Sequence, residues 1–265
     1  MSAAWPAIPA IVLYLAGTLL AARHIRAKNW MAGKTTQIIA GAATVLHAVS
    51  AWLAMVTPDG VDFSLFVVGS LVAVVLVAAL LLVSLAQPLH NLYLLMLPIA
   101  ALAIVGSLLF AGTTGRRAQV DVGLVAHAVV AVAAYSVLAL AAFQSLLYLV
   151  LDRRLRHHEA IGAATGLPPL QTMESMLFVL LWTGLALLTG AILTGLAFLD
   201  DVLAPHLVQH TTLATASWLL YVVLLGGHFL FGWRGRTTTL LALVAFAVLA
   251  LAYFGGKFVV EFLAR

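Results

Sequence analysis

The sequence predicts an all-α fold: a polytopic integral membrane bundle of eight transmembrane helices, with the N-terminus and C-terminus outside. The first observation is composition, since 64% of the 265 residues are hydrophobic and only 8% are charged. A soluble domain needs roughly 25% charged residues to cover its surface. The second is that the apolar residues form eight runs near the roughly 20 residues that cross a bilayer. The third is an uneven distribution of basic residues between the connections, which sets the orientation.

The eight runs define the elements in order, within a single membrane domain that covers residues 1–265. We place the spans at about 6–22, 36–56, 62–86, 92–111, 121–151, 173–199, 209–232 and 238–260. The breaks carry turn residues, such as Pro58-Asp59-Gly60, Gln87-Pro88 and Pro168-Pro169. The first run has no basic region before it, so it is predicted to be a span and not a cleaved signal peptide.

The positions of the thirteen Lys and Arg residues predict the topology. Nine follow spans one, five and seven: Arg23, Arg26, Lys28, Lys34, Arg153, Arg154, Arg156, Arg234 and Arg236. The other four are Arg116, Arg117, Lys257 and Arg265. Cytoplasmic connections carry the excess of basic residues. We therefore expect a multi-pass protein of the bacterial inner (cytoplasmic) membrane, with lipids and not nucleic acid as the partner of its positive charge.

Histidines are the ionisable residues that the sequence places inside the membrane. His47 lies near the middle of span two, His127 lies near the outer end of span five, and His228 lies near the inner end of span seven. His210 precedes His228 by eighteen residues, or five full turns, so both point the same way. Small residues surround His47 and His127 on their helix faces, which is typical of faces packed against protein.

Two interpretations of these histidines remain open. Each could simply hydrogen-bond between helices. Alternatively, neutral imidazoles without a mid-membrane carboxylate or any cysteine suit a borderline metal, and in particular an axial ligand to heme iron. The sequence offers no nucleophile–base pair, phosphate loop or two-carboxylate site, so we expect that the protein is not an enzyme. A transporter is disfavoured because midplane charge and inverted repeats are missing.

Several short motifs follow one another along the chain. They are His47, the His127 helix, the two Leu-Thr-Gly motifs of span six, the stretch from Trp218 to His228 with the following Gly-Trp-Arg-Gly-Arg, and the final Leu-Ala-Tyr-Phe-Gly. Together they resemble the cytochrome c assembly family (CcsA/CcmC-like) of heme-handling membrane proteins. Their order and spacing extend over most of the chain and are most similar to the short YpjD/HemX-type branch. In this resemblance, His127 matches the outer heme-ligand histidine, and His228 matches the intramembrane histidine of the penultimate helix.

The chain departs from the family pattern in two places. The loop between spans six and seven, where the family carries its tryptophan-rich heme-presenting segment, contains no tryptophan here. The second outer histidine that the family places after the last complete helix is also missing. The resemblance therefore implies a heme-binding inner-membrane protein that supports heme trafficking or cytochrome c assembly, without that presenting loop. The alternative is a HemX-like regulatory or scaffolding membrane protein that acts through partners without bound heme.

The predicted cofactor is a b-type, non-covalent heme, and other cytochrome-maturation or heme-synthesis proteins are expected partners. His47, His127 and His228 are the candidate metal ligands. Counted along the helices, His127 lies roughly 6 Å farther out than His47, and His228 lies roughly 9 Å farther in. His47 could therefore pair with either, and we favour His47 with His228 because the motif of His228 matches. Arg234 and Arg116 are candidate partners for the heme propionates, as guanidinium groups pair with carboxylates.

Overall fold

The computed structural model describes residues 3–27, 33–57, 60–86, 90–110, 117–118, 122–156, 169–198 and 208–258. Eight helices in these ranges are long and apolar enough to cross a membrane. They are α1 (Ala4–Arg26), α2 (Lys34–Met55), α3 (Leu65–Ala86), α4 (Tyr93–Phe110), α5 (Val122–Arg156), α6 (Leu170–Phe198), α7 (Val208–Phe231) and α8 (Arg236–Ala250), the last continuing to Phe258. The all-α, eight-span prediction is confirmed. The outside placement of both termini stays a prediction.

The chain divides into two compact units, and the single-domain organisation stays a prediction. Unit 1 is built from the described part of residues 1–119, and unit 2 from the described parts of 120–157 and 169–265. Unit 1 contains α1 to α4 and a small antiparallel sheet of order β1-β2-β3, with β1 at Val56–Thr57, β2 at Gly60–Asp62 and β3 at Arg117–Ala118. In that sheet Val61 pairs with both Val56 and Ala118.

Two hydroxyl-rich contacts tie the helices of unit 1 together. The Tyr14 hydroxyl on α1 lies 3.4 Å from the Thr44 Oγ1 atom on α2. The hydroxyls of Ser84, near the end of α3, and Tyr93, at the start of α4, lie 2.7 Å apart and join these two helices. Lipid offers no hydrogen-bonding partners, so polar groups in such a bundle must find them within the protein. Tyr14 and Tyr93 are both fully buried.

Unit 2 contains α5 to α8. Its most extensive helix–helix contact is between α5 and α6, where glycines lie at the points of closest approach. A methyl group at Gly123 would lie 2.6 Å from the Cβ atom of Phe198, and one at Gly184 would lie 2.7 Å from the Cγ atom of Leu138. Only glycine therefore permits this close approach of the two helices, as is common in membrane proteins. The contact also places the start of α5 beside the end of α6.

The end of α8 widens into a π-helical segment at Leu251–Gly255, followed by a short α-helical turn, α9 (Gly256–Phe258). Side chains from two other helices bind to backbone carbonyls here. The Tyr135 hydroxyl on α5 donates to the carbonyl of Leu249 at 2.7 Å, and His210 on α7 lies 3.1 Å from the carbonyl of Ala252. Single π-helical turns occur frequently at functional sites.

Candidate functional site

His47 is fully buried in unit 1, and both of its ring nitrogens have partners. Nδ1 lies 3.2 Å from the Tyr14 hydroxyl, and Nε2 lies 2.9 Å from the Ser70 hydroxyl. The Tyr14 ring also packs edge-on against the imidazole, with centroids 5.7 Å apart. The expectation that His47 faces protein and not lipid is confirmed by its exposure of 0%. Ligation of a metal by His47 would require one of its two hydrogen bonds to break.

His127 belongs to unit 2 and faces α6. Its Nδ1 atom lies 2.9 Å from the carbonyl oxygen of Ala191, and the Thr194 hydroxyl lies 3.4 Å from the same nitrogen. A ring nitrogen facing a carbonyl must carry the hydrogen, so Nδ1–H is the donor and Nε2 keeps its lone pair. Nε2 forms no hydrogen bond within the described part of the chain. The side chain is half-buried.

His228 stands at the opposite end of unit 2, where α7 meets the turn that leads into α8. Its Nδ1 atom donates to the carbonyl of Trp233 at 2.7 Å, and its ring stacks on Phe178 of α6 at 3.7 Å between centroids. The turn is also held by the Glu174 carboxylate, which accepts the Gly235 amide hydrogen at 2.7 Å. Nε2 of His228 has no hydrogen-bond partner among the described residues.

His210 has the same geometry, although the sequence alone assigned it no role. Its Nδ1 atom donates to the carbonyl of Ala252 in the π-helical segment, 3.1 Å away. The ring of Tyr253 packs edge-on against it with centroids 6.1 Å apart. Its position at the start of α7, in phase with His228, is the signal that could have drawn attention to it.

The two arginines predicted to pair with propionates have different outcomes. Arg116 lies outside the described residues. Arg234 is exposed on the turn between α7 and α8, and forms no hydrogen bond or ion pair with any part of the chain that the structure covers. Its role as a partner for a propionate stays a prediction.

The three histidines of unit 2 that the structure describes, His127, His210 and His228, share an arrangement suited to metal ligation. In each, a backbone carbonyl fixes the tautomer through Nδ1, which orients the ring and leaves Nε2 as the electron-pair donor. Metal-bound histidines usually donate their other ring N–H to a backbone carbonyl, a carboxylate or a water in this way. Across the described ranges, no group of three or more His, Cys, Asp or Glu side chains could hold a metal ion.

Comparison with known proteins identifies the family. Residues 37–264, most of the chain, match the family described as Cytochrome C assembly protein. This chain belongs to the cytochrome c assembly family. It is also 28% identical over 260 residues to "Inner membrane protein YpjD" of Escherichia coli (strain K12), covering 96% of this chain and 97% of that one. No solved structure matches it.

A second relative matches a shorter stretch. An uncharacterized 28.8 kDa protein of Azospirillum brasilense, from a nifR3-like 5' region, is 32% identical over 139 residues, covering 52% of this chain and 51% of that protein. The predicted resemblance to the family, including its YpjD-type branch, is thus confirmed. The localisation is confirmed as well: this member of the cytochrome c assembly family is a multi-pass inner-membrane protein.

Proposed function

We propose that this chain binds a b-type heme non-covalently and supports heme trafficking or cytochrome c assembly. One hydrogen-bonding pattern, common to His127, His210 and His228, carries the proposal. In each, Nδ1 is hydrogen-bonded to a backbone carbonyl, while Nε2 has no partner in the described chain. Membership of the cytochrome c assembly family supports the same conclusion.

The ligand set fits heme better than a bare metal ion. A structural zinc site takes four protein ligands and a catalytic one takes three, whereas the described residues offer no cluster of three. A porphyrin supplies four nitrogens to its iron and asks the protein only for axial ligands, for which imidazole is a common choice. The chain has no cysteine, so covalent attachment through thioethers is excluded.

The residues would have distinct tasks. His127 and His228 would each present Nε2 to iron, held in orientation by the carbonyls of Ala191 and Trp233. Arg234 would neutralise a propionate at the α7–α8 turn. A bound heme would be the cargo or the redox group that the assembly process requires. Because both nitrogens of His47 are already hydrogen-bonded, the proposal depends less on His47 than on the unit 2 histidines.

The test is an absorption spectrum of the full-length protein purified in detergent, as isolated and after addition of ferric protoporphyrin IX. We expect saturable binding with the sharp visible bands of a histidine-ligated ferrous heme on reduction. The variants His47→Ala, His127→Ala and His228→Ala are compared, and loss or change of these bands is expected in at least one of the unit 2 variants.

His24→Ala serves as the control, because His24 is an imidazole at the end of α1 that has no part in the proposed site. If the protein carries no heme and binds none when supplied, or if all three variants bind it normally, the proposal is wrong. The HemX-like regulatory function would then be favoured, and it would be sought through partner proteins captured from the same membranes.

A further inference from the structure

We propose that unit 1 binds a phosphate group where α1 ends and α2 begins, with the Thr36 hydroxyl, the His24 imidazole and the first backbone amides of α2 as hydrogen-bond donors. We call this region the α1–α2 basic end; it comprises Arg23, His24, Lys34 and Thr36, with the backbone amides of residues 34–36. The inference goes beyond the proposed function, because it concerns unit 1 alone and does not depend on heme.

Two facing helix surfaces bring His24 and Thr36 to the same end of unit 1. α1 and α2 are antiparallel, and the Tyr14 hydroxyl on α1 lies 3.2 Å from Nδ1 of His47 on α2. Counted from that contact, His24 lies ten residues or about 15 Å along α1, and Thr36 lies eleven residues or about 16 Å along α2 in the same direction. Thr36 shares the face of His47, three turns away. His24 shares the face of Gly17, two turns away, where an added Cβ atom would lie 3.7 Å from a side chain of α2. The two side chains therefore lie on facing surfaces at nearly the same level.

Both side chains bury a polar atom that has no partner. Thr36 is only 2% exposed, and neither its Oγ1 atom nor Nε2 of His24 has a hydrogen-bond partner among the residues that the structure describes. Thr44, two turns farther along α2, is buried too, but its hydroxyl donates to the carbonyl of Ala40 at 2.7 Å. Buried polar atoms in native proteins nearly always have a partner, and hydrocarbon supplies none. A ligand with acceptor oxygens at the α1–α2 basic end would supply the missing partner for both.

The start of α2 adds backbone donors at the same place. The Gln37 amide donates to the carbonyl of Gly33 at 2.8 Å, and the amides of residues 34–36 come before this first helical bond. Gly33 at the N-cap has no side chain that could cap them, and the first turn contains no acidic residue. Unpaired amides and the helix dipole make such a helix start attractive to anions. Thr36 belongs to this first turn, so its hydroxyl and the amides can donate to one bound anion.

Positive charge at this end has no acidic counterpart in the sequence. Arg23 precedes His24 and Lys34 opens α2, and both of these cationic side chains are exposed. The only acidic residues between 1 and 120 are Asp59 and Asp62, which follow the opposite end of α2. An anion at the α1–α2 basic end therefore meets two cations and no competing carboxylate from unit 1.

The level of the site in the membrane indicates a phosphate. The apolar spans that α1 and α2 form end at His24 and begin at Lys34, so the donors lie where the hydrocarbon layer gives way to the phosphates of lipid headgroups. A phosphate group has several acceptor oxygens, enough for amides, a hydroxyl and an imidazole at once, and Lys and Arg are its usual cationic partners. Either a lipid headgroup or free phosphate could carry the group, and the experiment distinguishes these two sources.

The first measurement is the affinity for a lipid. Full-length protein is freed of lipid in detergent and titrated with phosphatidylglycerol, and the bound lipid is counted by native mass spectrometry. Thr36→Val removes the buried hydroxyl at nearly constant volume and should weaken the tightest lipid-binding step about tenfold, the usual effect of losing one hydrogen bond to a charged group. His24→Leu should have a similar effect. Thr35→Val is the matched control, because the neighbouring Thr35 side chain is exposed.

The second measurement is thermal unfolding of the same variants in detergent, with and without inorganic phosphate, at an ionic strength held constant with chloride. Without phosphate or lipid, Thr36→Val should unfold at the same temperature as the unaltered protein or higher, because valine fills the space without an unpartnered hydroxyl. With phosphatidylglycerol or inorganic phosphate added, the unaltered protein and Thr35→Val should become the more stable. This reversal separates ligand binding from a variant that has simply misfolded.

The two sources of phosphate give different patterns. A lipid site predicts that phosphatidylglycerol stabilises the unaltered protein and Thr35→Val more than Thr36→Val, while inorganic phosphate has no effect. A site for free phosphate predicts the same difference with inorganic phosphate and equal lipid binding by all variants. If Thr36→Val and His24→Leu bind both probes as Thr35→Val does, or if Thr36→Val is less stable than the unaltered protein without either probe, the proposal is wrong.

Discussion

A methyl group at Gly227 should break the turn between α7 and α8. A Cβ atom there would lie 2.5 Å from both Cδ2 and Cζ3 of the Trp233 ring. That ring cannot retreat freely, because the Trp233 amide donates to the Gly227 carbonyl at 3.2 Å and its own carbonyl accepts from His228. Gly232, with a φ of +69°, fixes the backbone just before it. Gly227→Ala must therefore displace Trp233 and strain its bond to His228.

The magnitude follows from two contributions. Forcing one extra methyl group into a packed interior costs about 1–3 kcal/mol. Loss of an interhelical or turn hydrogen bond within a membrane protein costs about 0.6 kcal/mol on average. Alanine is favoured over glycine inside a helix by up to about 1 kcal/mol, which offsets part of these costs, so the expected loss in the free energy of unfolding is about 1–3 kcal/mol. The adjacent Gly226 is the matched control, because a methyl group there would meet no heavy atom within 4 Å.

Gly226→Ala should be neutral or stabilising, since alanine is favoured over glycine inside a helix by up to about 1 kcal/mol. The assay is reversible unfolding in mixed detergent micelles, with helix content followed by circular dichroism for both variants and the unaltered protein. Equal free energies of unfolding for Gly227→Ala and Gly226→Ala would refute the packing of Trp233 on α7. So would a Gly227→Ala variant that is more stable than the unaltered protein.

Three further outcomes are expected. A reporter fused after Arg265 should be active on the outer side of the membrane, and activity only in the cytoplasm would mean an odd number of spans. Glu174→Ala should lower the free energy of unfolding by about 1.5–3 kcal/mol, the usual contribution of a hydrogen bond to a charged group, because it removes the acceptor of the Gly235 amide. Glu174→Gln keeps an acceptor, so its loss in the free energy of unfolding should be smaller. Equal losses in the two variants would contradict the role of Glu174 as acceptor of the Gly235 amide hydrogen. Trp218→Phe removes the 2.9 Å hydrogen bond from Nε1 to the Thr189 hydroxyl. It should lower the free energy of unfolding by about 0.6 kcal/mol in the same assay. If Thr189→Ala has no effect while Trp218→Phe has a large one, the packing of the Trp218 ring and not this hydrogen bond is responsible.

The candidate site was only partly predictable. The residue type and depth of His127 and His228 could be read from the sequence, because an ionisable residue inside an apolar run is conspicuous. The sequence could not show which ring nitrogen of each histidine is available, because this depends on carbonyls contributed by other elements. The same limit applies to His47. Only its contacts with Tyr14 and Ser70 show that both of its ring nitrogens are already hydrogen-bonded.

By itself, the sequence determined the class, the number of spans and the approximate bounds of each helix. These properties depend on local composition, since about 20 apolar residues are needed wherever a helix crosses the hydrocarbon layer. The tertiary structure decided which helices meet and which polar groups pair. The Gly123–Phe198 contact brings the start of α5 to the end of α6, and the carbonyl of Ala252 meets His210 forty-two residues earlier in the chain. Such pairings depend on helix packing over long sequence separations, and no local pattern encodes them.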